Sequence, residues 1–316
     1  MNLPPYRHQC QNCGEPIDEL LCDSCRNRQA GLFAVAYRPL PNNLLLYILT
    51  ILKSRLFLGL FVFATTPILL GALHLNVVDG MMVYFSLFWF FIFQPLMAAQ
   101  LRIRSLLLDI TAYIFTGTVG VLFALVVESF WISHGANLLL HDRFLLISAP
   151  AYVLFIGLTE EFAKQIFILL VFLFNRAKKK VWNPLSYMMV GISSGLGFSA
   201  VENISYVQHG ILFDVLHHSV GLGTITALTR ALYTPFLHAI WAGIVAYGLG
   251  VVAQRGYRDW HLAVGAYLLA AIFHGFYDAS LAHGDLSIMD VALSYLVFLT
   301  LLLSNRRRQN LNASYE

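Results

Sequence analysis

Charge is what this chain has least of. Of its 316 residues 12% are Asp, Glu, Lys or Arg and 58% are hydrophobic, and the mean hydropathy is +0.68. Soluble domains carry about twice that share of charge, so the composition excludes an ordinary soluble domain and implies an integral membrane protein. The formal net charge is only +3, too small for the basic surface that a nucleic acid would need, and no nucleic-acid partner is expected. Cysteine is missing after residue 25: all four lie at Cys10, Cys13, Cys22 and Cys25, so no disulfide framework can hold the rest of the chain together. The N-terminal segment also lacks the basic, apolar, small-residue order of a cleavable signal peptide.

What is present instead is a series of apolar stretches, over residues 56–74, 81–99, 106–132, 145–174, 184–208, 224–252, 262–283 and 286–304. A bilayer core takes about 20 residues of helix, and each stretch reaches or approaches that length. The expected fold is an all-α polytopic bundle of about eight transmembrane helices, spanning residues 56–304, in the lipid bilayer of the cell membrane. A small N-terminal module (1–29), a linker with an interfacial segment broken by Pro39 and Pro41 (30–55) and a short tail (305–316) complete the organisation. Of the 20 basic residues only Arg143, Lys164 and Arg230 fall outside one set of alternate loops. Basic residues mark the cytoplasmic side, so the eight-span reading places both termini in the cytoplasm.

The module reads C-x2-C-x8-C-x2-C. Four thiolates in two knuckles suit a tetrahedral structural zinc, with Gly14 allowing the turn after the first knuckle, and a reducing cytoplasm disfavours disulfides. The stretch resembles the short zinc ribbons at the ends of many bacterial proteins, which implies a contact or regulatory role, with a possible cytoplasmic partner at the ribbon.

Charge reappears where it is most expensive. The stretch "GLTEEFAKQ" puts Glu160, Glu161 and Lys164 midway along an apolar run, where each ionised group costs at least about 2.5–3.5 kcal/mol. Lys164 follows the two glutamates at helical spacing and can neutralise one of them. Glu202 and Asn203, Arg230 and His238, and His274 and Asp278 lie on the next three stretches. At about 1.5 Å per helical residue these groups reach heights of roughly 22–30 Å above the cytoplasmic face. Groups from four helices at similar heights must face one another or a wet cavity. Arg230 is expected to pair with Glu202 or Asp278, and Asp278 to orient His274 as a carboxylate–histidine pair. Glu128, Asp109 and Asp290 lie nearer the ends of spans and are expected to be solvated or to cap helices.

Taken in order, E-E-x-x-K, G-F-x-x-x-E-N, R-x4-P-x-x-H and H-x3-D on successive helices resemble the PrsW family of intramembrane proteases, relatives of the type II CAAX prenyl proteases. The resemblance covers residues 160–278. It implies a helical bundle with a cavity inside the bilayer, and hydrolysis of peptide bonds in membrane-anchored proteins, such as anti-sigma factors, on the outer side. It further implies that Glu160, Glu161, His238 and His274 are catalytic, with Glu202, Asn203 and Asp278 in the same pocket. The cysteine module is not part of the family's pattern.

Two mechanisms fit these residues. In one, His238, His274 and a glutamate (Glu161 in the set favoured here) hold a catalytic zinc while the other glutamate takes the water's proton. In the other, a buried glutamate acts with the histidines and no metal. Asn203 and Arg230 are candidate oxyanion donors. Three rival readings are weaker. "GISSG" around Ser193 matches a serine-nucleophile pattern, but Gly191, Gly195 and Ser199 recur as the small face of a packed membrane helix. His209, Asp214, His217 and His218 could form a second metal site, but solvated loop histidines are favoured. A non-proteolytic scaffold or transporter would also use buried charges, but no inverted repeat supports a transporter. A reporter active only outside the cytoplasm, fused after Arg308, is expected to stay silent; a strong signal there would overturn the topology.

Overall fold

In hydrocarbon every backbone polar group must find its partner within the chain, which leaves helices as the solution for apolar stretches of this length. The computed structural model describes residues 8–9, 16–17, 77–98, 106–218, 221–284 and 288–314. Seven of the eight apolar stretches coincide with helices: α1 (Val77–Ala98), α2 (Leu106–Leu140), α3 (residues 145–177), α4 (Pro184–Leu216), α5 (Leu222–Leu232) followed by α6 (Thr234–Arg255), α7 (Trp260–Ala282) and α8 (Ile288–Ser314). The stretch 56–74 and the four cysteines lie outside the described residues. Near the N-terminus β1 (His8–Gln9) pairs antiparallel with β2 (Pro16–Ile17).

Among the described residues five helices are long and apolar enough to cross a membrane: Val77–Gln94, Leu106–Leu140, Pro184–Leu216, Leu222–Arg255 and Tyr257–Ala282. The described apolar part of α8, Ile288–Leu303, is shorter, and α3 carries Glu160, Glu161 and Lys164. This is a membrane protein. Large apolar side chains such as Leu122, Leu125 and Val126 of α2 point outward, as lipid-facing residues do, while α4 and α6 are enclosed along most of their length.

Local sequence sets the helix ends. Asn183 opens α4, its Oδ1 accepting from the Leu185 N–H at 3.0 Å, with Pro184 in the first turn where its missing donor does no harm. Pro235 has the same place in α6 and separates it from α5. Gly256 ends α6 with a positive φ of 99°. In α3, Pro150 is followed by a wide π-helical turn over Tyr152–Gly157, immediately before the charged stretch. Helix α4 runs on to Leu216, so His209 and Asp214 are helical and not in a loop, because the apolar pattern continues through Ile211, Leu212 and Phe213.

Packing is built on α4, which touches α1, α2, α5 and α6. The core joins Met188, Ile192 and Leu196 of α4 to Leu237, Ile240 and Trp241 of α6, with Phe90 and Phe93 of α1 and Phe298 of α8. Several helix pairs meet backbone to backbone at glycines. A Cβ on Gly195 of α4 would strike the His238 carbonyl of α6, and one on Gly157 of α3 would strike the Ala271 carbonyl of α7. One on Gly275 of α7 would strike the Val153 backbone, and one on Gly197 of α4 the Tyr113 carbonyl of α2. Small residues at membrane helix crossings allow such approach.

Overfilling a packed interior costs about 1–3 kcal/mol, so Gly157→Ala and Gly195→Ala are each expected to lower the thermal unfolding midpoint in detergent. Gly265, with open space at its Cβ position, is the control. Gly265→Ala should leave the midpoint unchanged or raise it, and equal loss in all three would contradict the close-packing account.

Candidate active site

The glycine contacts draw the charged residues together. Gly157 lies one turn before Glu160 and Glu161, and Gly275 adjoins His274, so the α3–α7 contact brings both glutamates to that histidine. Glu161 Oε1 lies 3.0 Å from His274 Nδ1, and Glu160 Oε2 lies 3.4 Å from His274 Nε2. The α4–α6 contact, made on the carbonyl of His238 itself, sets that ring beside Glu202, with Nε2 3.2 Å from Oε2. Glu160, Glu161, Lys164, His238 and His274 are all buried.

Two cations anchor the arrangement. Lys164 Nζ donates to Glu161 Oε1 at 2.7 Å and lies 3.5 Å from Glu160 Oε2, with its ammonium over the Phe198 ring at 4.7 Å. Arg230 Nη1 donates to Glu202 Oε1 at 3.0 Å and to Asn203 Oδ1 at 3.3 Å. Of the two partners expected for Arg230, it takes Glu202. Asp278, one turn after His274 on α7, lies 3.3 Å from Nε2 of that ring. The imidazole planes are fixed from above and below: Trp241 stacks on His274 at 4.8 Å and Phe198 on His238 at 5.9 Å. The two rings stand 5.1 Å apart.

These contacts constrain the proton positions. His274 has carboxylates at both nitrogens, Glu161 at Nδ1 and Glu160 and Asp278 at Nε2, so each nitrogen can donate, and a metal at Nε2 would take the place of the proton there. Glu202 Oε2 lies close to His238 Nε2, and Glu202 Oε2, His238 Nδ1 and Glu160 Oε2 are all buried with no hydrogen-bond partner. Buried polar atoms left without partners are the arrangement that a cation between them would relieve. Glu160, His238 and His274 each offer a ligand atom within 4.8 Å of the others. Two imidazoles and a carboxylate, each imidazole held by a second carboxylate, form the donor set of a catalytic zinc site, so the residues fit a metal. The carboxylate in this set is Glu160, whereas the sequence pointed to Glu161. The reason is that Glu161 is turned onto Lys164 and the far nitrogen of His274.

Several other expectations change. Asn203 spends both amide hydrogens, on Ser199 Oγ and the Arg230 carbonyl at 2.8 Å each, and has none for an oxyanion. Ser193 donates to the Met189 carbonyl of its own helix at 3.0 Å, and Gly191 and Gly195 pack on α6. The second metal site does not assemble. Asp214 accepts from the Gly221, Leu222 and Gly223 N–H groups at 2.8–3.3 Å, capping α5, and His217 Nδ1 contacts the Phe213 carbonyl. Asp109 and Asp290 are buried, neither being a solvated end residue, and Asp109 accepts from Gln94 at 3.1 Å. Glu128 of α2 is half-buried, and it lies within electrostatic reach of Glu160, Glu202, His274 and Asp278. Trp241, held by a hydrogen bond to Ser294 at 2.9 Å, was not legible as part of the site. Its place three residues after His238, hence on the same helical face, is the one signal that could have found it.

A family model described as PrsW family intramembrane metalloprotease matches residues 104–303. The protein "Protease PrsW" from Shouchella clausii (strain KSM-K16) is 27% identical over 159 residues. The match covers 49% of this chain and 65% of that protein. No solved structure matches.

Removing one partner of a buried ion pair leaves an uncompensated charge and costs about 3–5 kcal/mol. Lys164→Met is therefore expected to destabilise the bundle strongly in a thermal or denaturant assay, and Lys164→Met with Glu161→Gln to recover most of that loss. An additive double variant would mean that the 2.7 Å contact carries no coupling.

Proposed function

The chain belongs to the PrsW family of intramembrane metalloproteases, and on that premise we propose that it hydrolyses peptide bonds of membrane-anchored proteins near the outer leaflet. The observation that carries this reading is that Glu160 Oε2 and His238 Nδ1 are buried with no hydrogen-bond partner, in a group where Glu160, His238 and His274 each offer a ligand atom within 4.8 Å of the others. Glu160, His238 and His274 would hold a divalent metal such as zinc. When bound there, that ion supplies Lewis-acid activation of a water and of the scissile carbonyl.

The chain's own groups do the rest. Glu161 keeps the proton of His274 on Nδ1, and Lys164 keeps Glu161 ionised and turned toward that ring. Glu202 does the same for His238, with Arg230 as its counter-cation. Asp278, on the reacting side of His274, takes the proton of the attacking water and returns it to the departing amine. Trp241 and Phe198 hold the two rings in plane and keep lipid and bulk water away from them.

Around this centre we place eight spans in the cell membrane, including residues 56–74, with both termini cytoplasmic. Residues 10–25 form a zinc ribbon that meets a cytoplasmic partner and takes no part in the chemistry.

The test separates ligands from the residues that position them. Glu160→Gln, His238→Ala and His274→Ala are each expected to lose the bound metal and to abolish cleavage of a single-span substrate in proteoliposomes, with the bundle still folded. Glu161→Gln and Glu202→Gln should weaken metal affinity by about 10–100-fold, so that added zinc restores part of their activity. Chelation should stop the unsubstituted protein and zinc restart it. Cleavage that survives both chelation and Glu160→Gln would sink the metal reading and favour the metal-free glutamate mechanism.

A further inference from the structure

Glu128 has no place in that scheme, and its surroundings give it one. Helix α2 is clamped to α3 by two aromatic pairs, Phe123 with Phe162 at 5.7 Å and Trp131 with Phe155 at 5.4 Å. The two helices run antiparallel, so Glu128, lying between the clamps, falls level with residues 157–158, within a turn of Glu160. One carboxylate oxygen, Oε1, is buried with no hydrogen-bond partner, while the side chain as a whole is only half-buried. It therefore faces the site and remains reachable from outside.

The charges around it are unbalanced. Glu128 lies within electrostatic reach of Glu160, Glu202 and Asp278, Glu161 adjoins Glu160 on α3, and Asp290 of α8 is within reach of Asp278. The chain sets Lys164 and Arg230 against these, and both are committed, Lys164 to Glu161 and Glu160, Arg230 to Glu202. A divalent ion at Glu160, His238 and His274 would bring the positive charges to four against five carboxylates, leaving one negative charge over even without Asp290. Lys164 lies within electrostatic reach of Glu128, but no ion pair reaches Glu128 among the described residues. An ionised group at that depth is stable only when a partner arrives.

We propose that Glu128 is a specificity-determining residue that receives the ammonium or guanidinium group of a lysine or arginine beside the scissile bond of the substrate. The proposal rests on the protease reading above. A basic side chain entering from the outer surface would meet Glu128 on the rim, and its charge would complete the balance of the pocket as its backbone reached the centre. A substrate with a neutral or acidic residue there would leave Glu128 unpaired or repelled, so discrimination is expected against both.

The probes are single-span peptides with lysine, glutamine or glutamate at successive outer juxtamembrane positions and a photocrosslinker in the span, presented to the full chain in nanodiscs. Capture is read in the Glu160→Gln background, where no cleavage is expected. One charge-assisted contact corresponds to about a tenfold preference, so at one or two positions the lysine peptide should be captured about tenfold better than its glutamine twin. That ratio should fall to about one with Glu128→Gln and invert toward the glutamate peptide with Glu128→Lys, each variant being checked for an unchanged gel-filtration profile. In cleavage, the lysine-to-glutamine ratio of kcat/KM should fall in the same way with Glu128→Gln alone.

A lysine preference that is absent, or that Glu128→Gln leaves intact, overturns the proposal, as does an equal loss of cleavage for all three peptides. Preferential capture by the Glu160→Gln protein together with no cleavage by the unsubstituted protein would sink the protease reading and leave cation recognition at Glu128 standing. Neither capture nor cleavage of any peptide would overturn both.

Discussion

Everything polar in this bundle depends on helices touching backbone to backbone. Glutamate and histidine side chains are short, and ordinary helix separations of about 8–10 Å would leave the groups of α3, α4, α6 and α7 too far apart to meet. Glycine at 157, 195 and 275 removes the side chain that would hold those helices apart. The glycines are next to the residues they bring together: Gly275 adjoins His274, and Gly195 rests on the carbonyl of His238. The spacing of the chemistry is thus a property of the backbone contact, and a methyl group there would push apart the helices that carry the site.

Close approach alone would gather repelling carboxylates, and the second device is a repeated three-part arm. Lys164 holds Glu161, which holds Nδ1 of His274; Arg230 holds Glu202, which holds Nε2 of His238. Each arm runs cation, carboxylate, imidazole, and each leaves the second ring nitrogen on the side away from the carboxylate that orients the ring. The cations do different geometric work. Lysine stays on the helix of its own glutamate and lies over Phe198, whereas arginine reaches from α5 to α4 and lies over Tyr206. The planar guanidinium can bridge Glu202 and Asn203 at once, which an ammonium could not do with the same directionality.

Glu128 shows how an apolar helix can contribute a single polar group. Leu122, Leu125 and Val126 of α2 face outward, and the segment reads as lipid-facing throughout. Contacts to α3 and α4 turn its other side inward, and Glu128 lies between the two aromatic contacts to α3.

Sequence alone was enough for the class of the molecule, the positions of seven of its described helical stretches and the choice of Glu160, Glu161, Lys164, Glu202, Arg230, His238, His274 and Asp278 as one polar group. Periodicity and apolar length report burial directly, and a charge in a membrane span has few places to go. The Glu161–Lys164 pair was readable for the same reason, since residues three apart on a helix are neighbours whatever the fold. What sequence could not supply was direction across helices. Which glutamate faces the ligand side of His274, whether Arg230 takes Glu202 or Asp278, that Asn203 has no donor to spare, and that Glu128 and Trp241 belong to the site all depend on how α2, α3, α4, α6 and α7 are rotated about their axes. A rotation of one residue's worth, about 100°, would exchange Glu160 for Glu161. Those rotations are decided by glycine contacts and stacked aromatics between distant segments, and only the tertiary structure holds them.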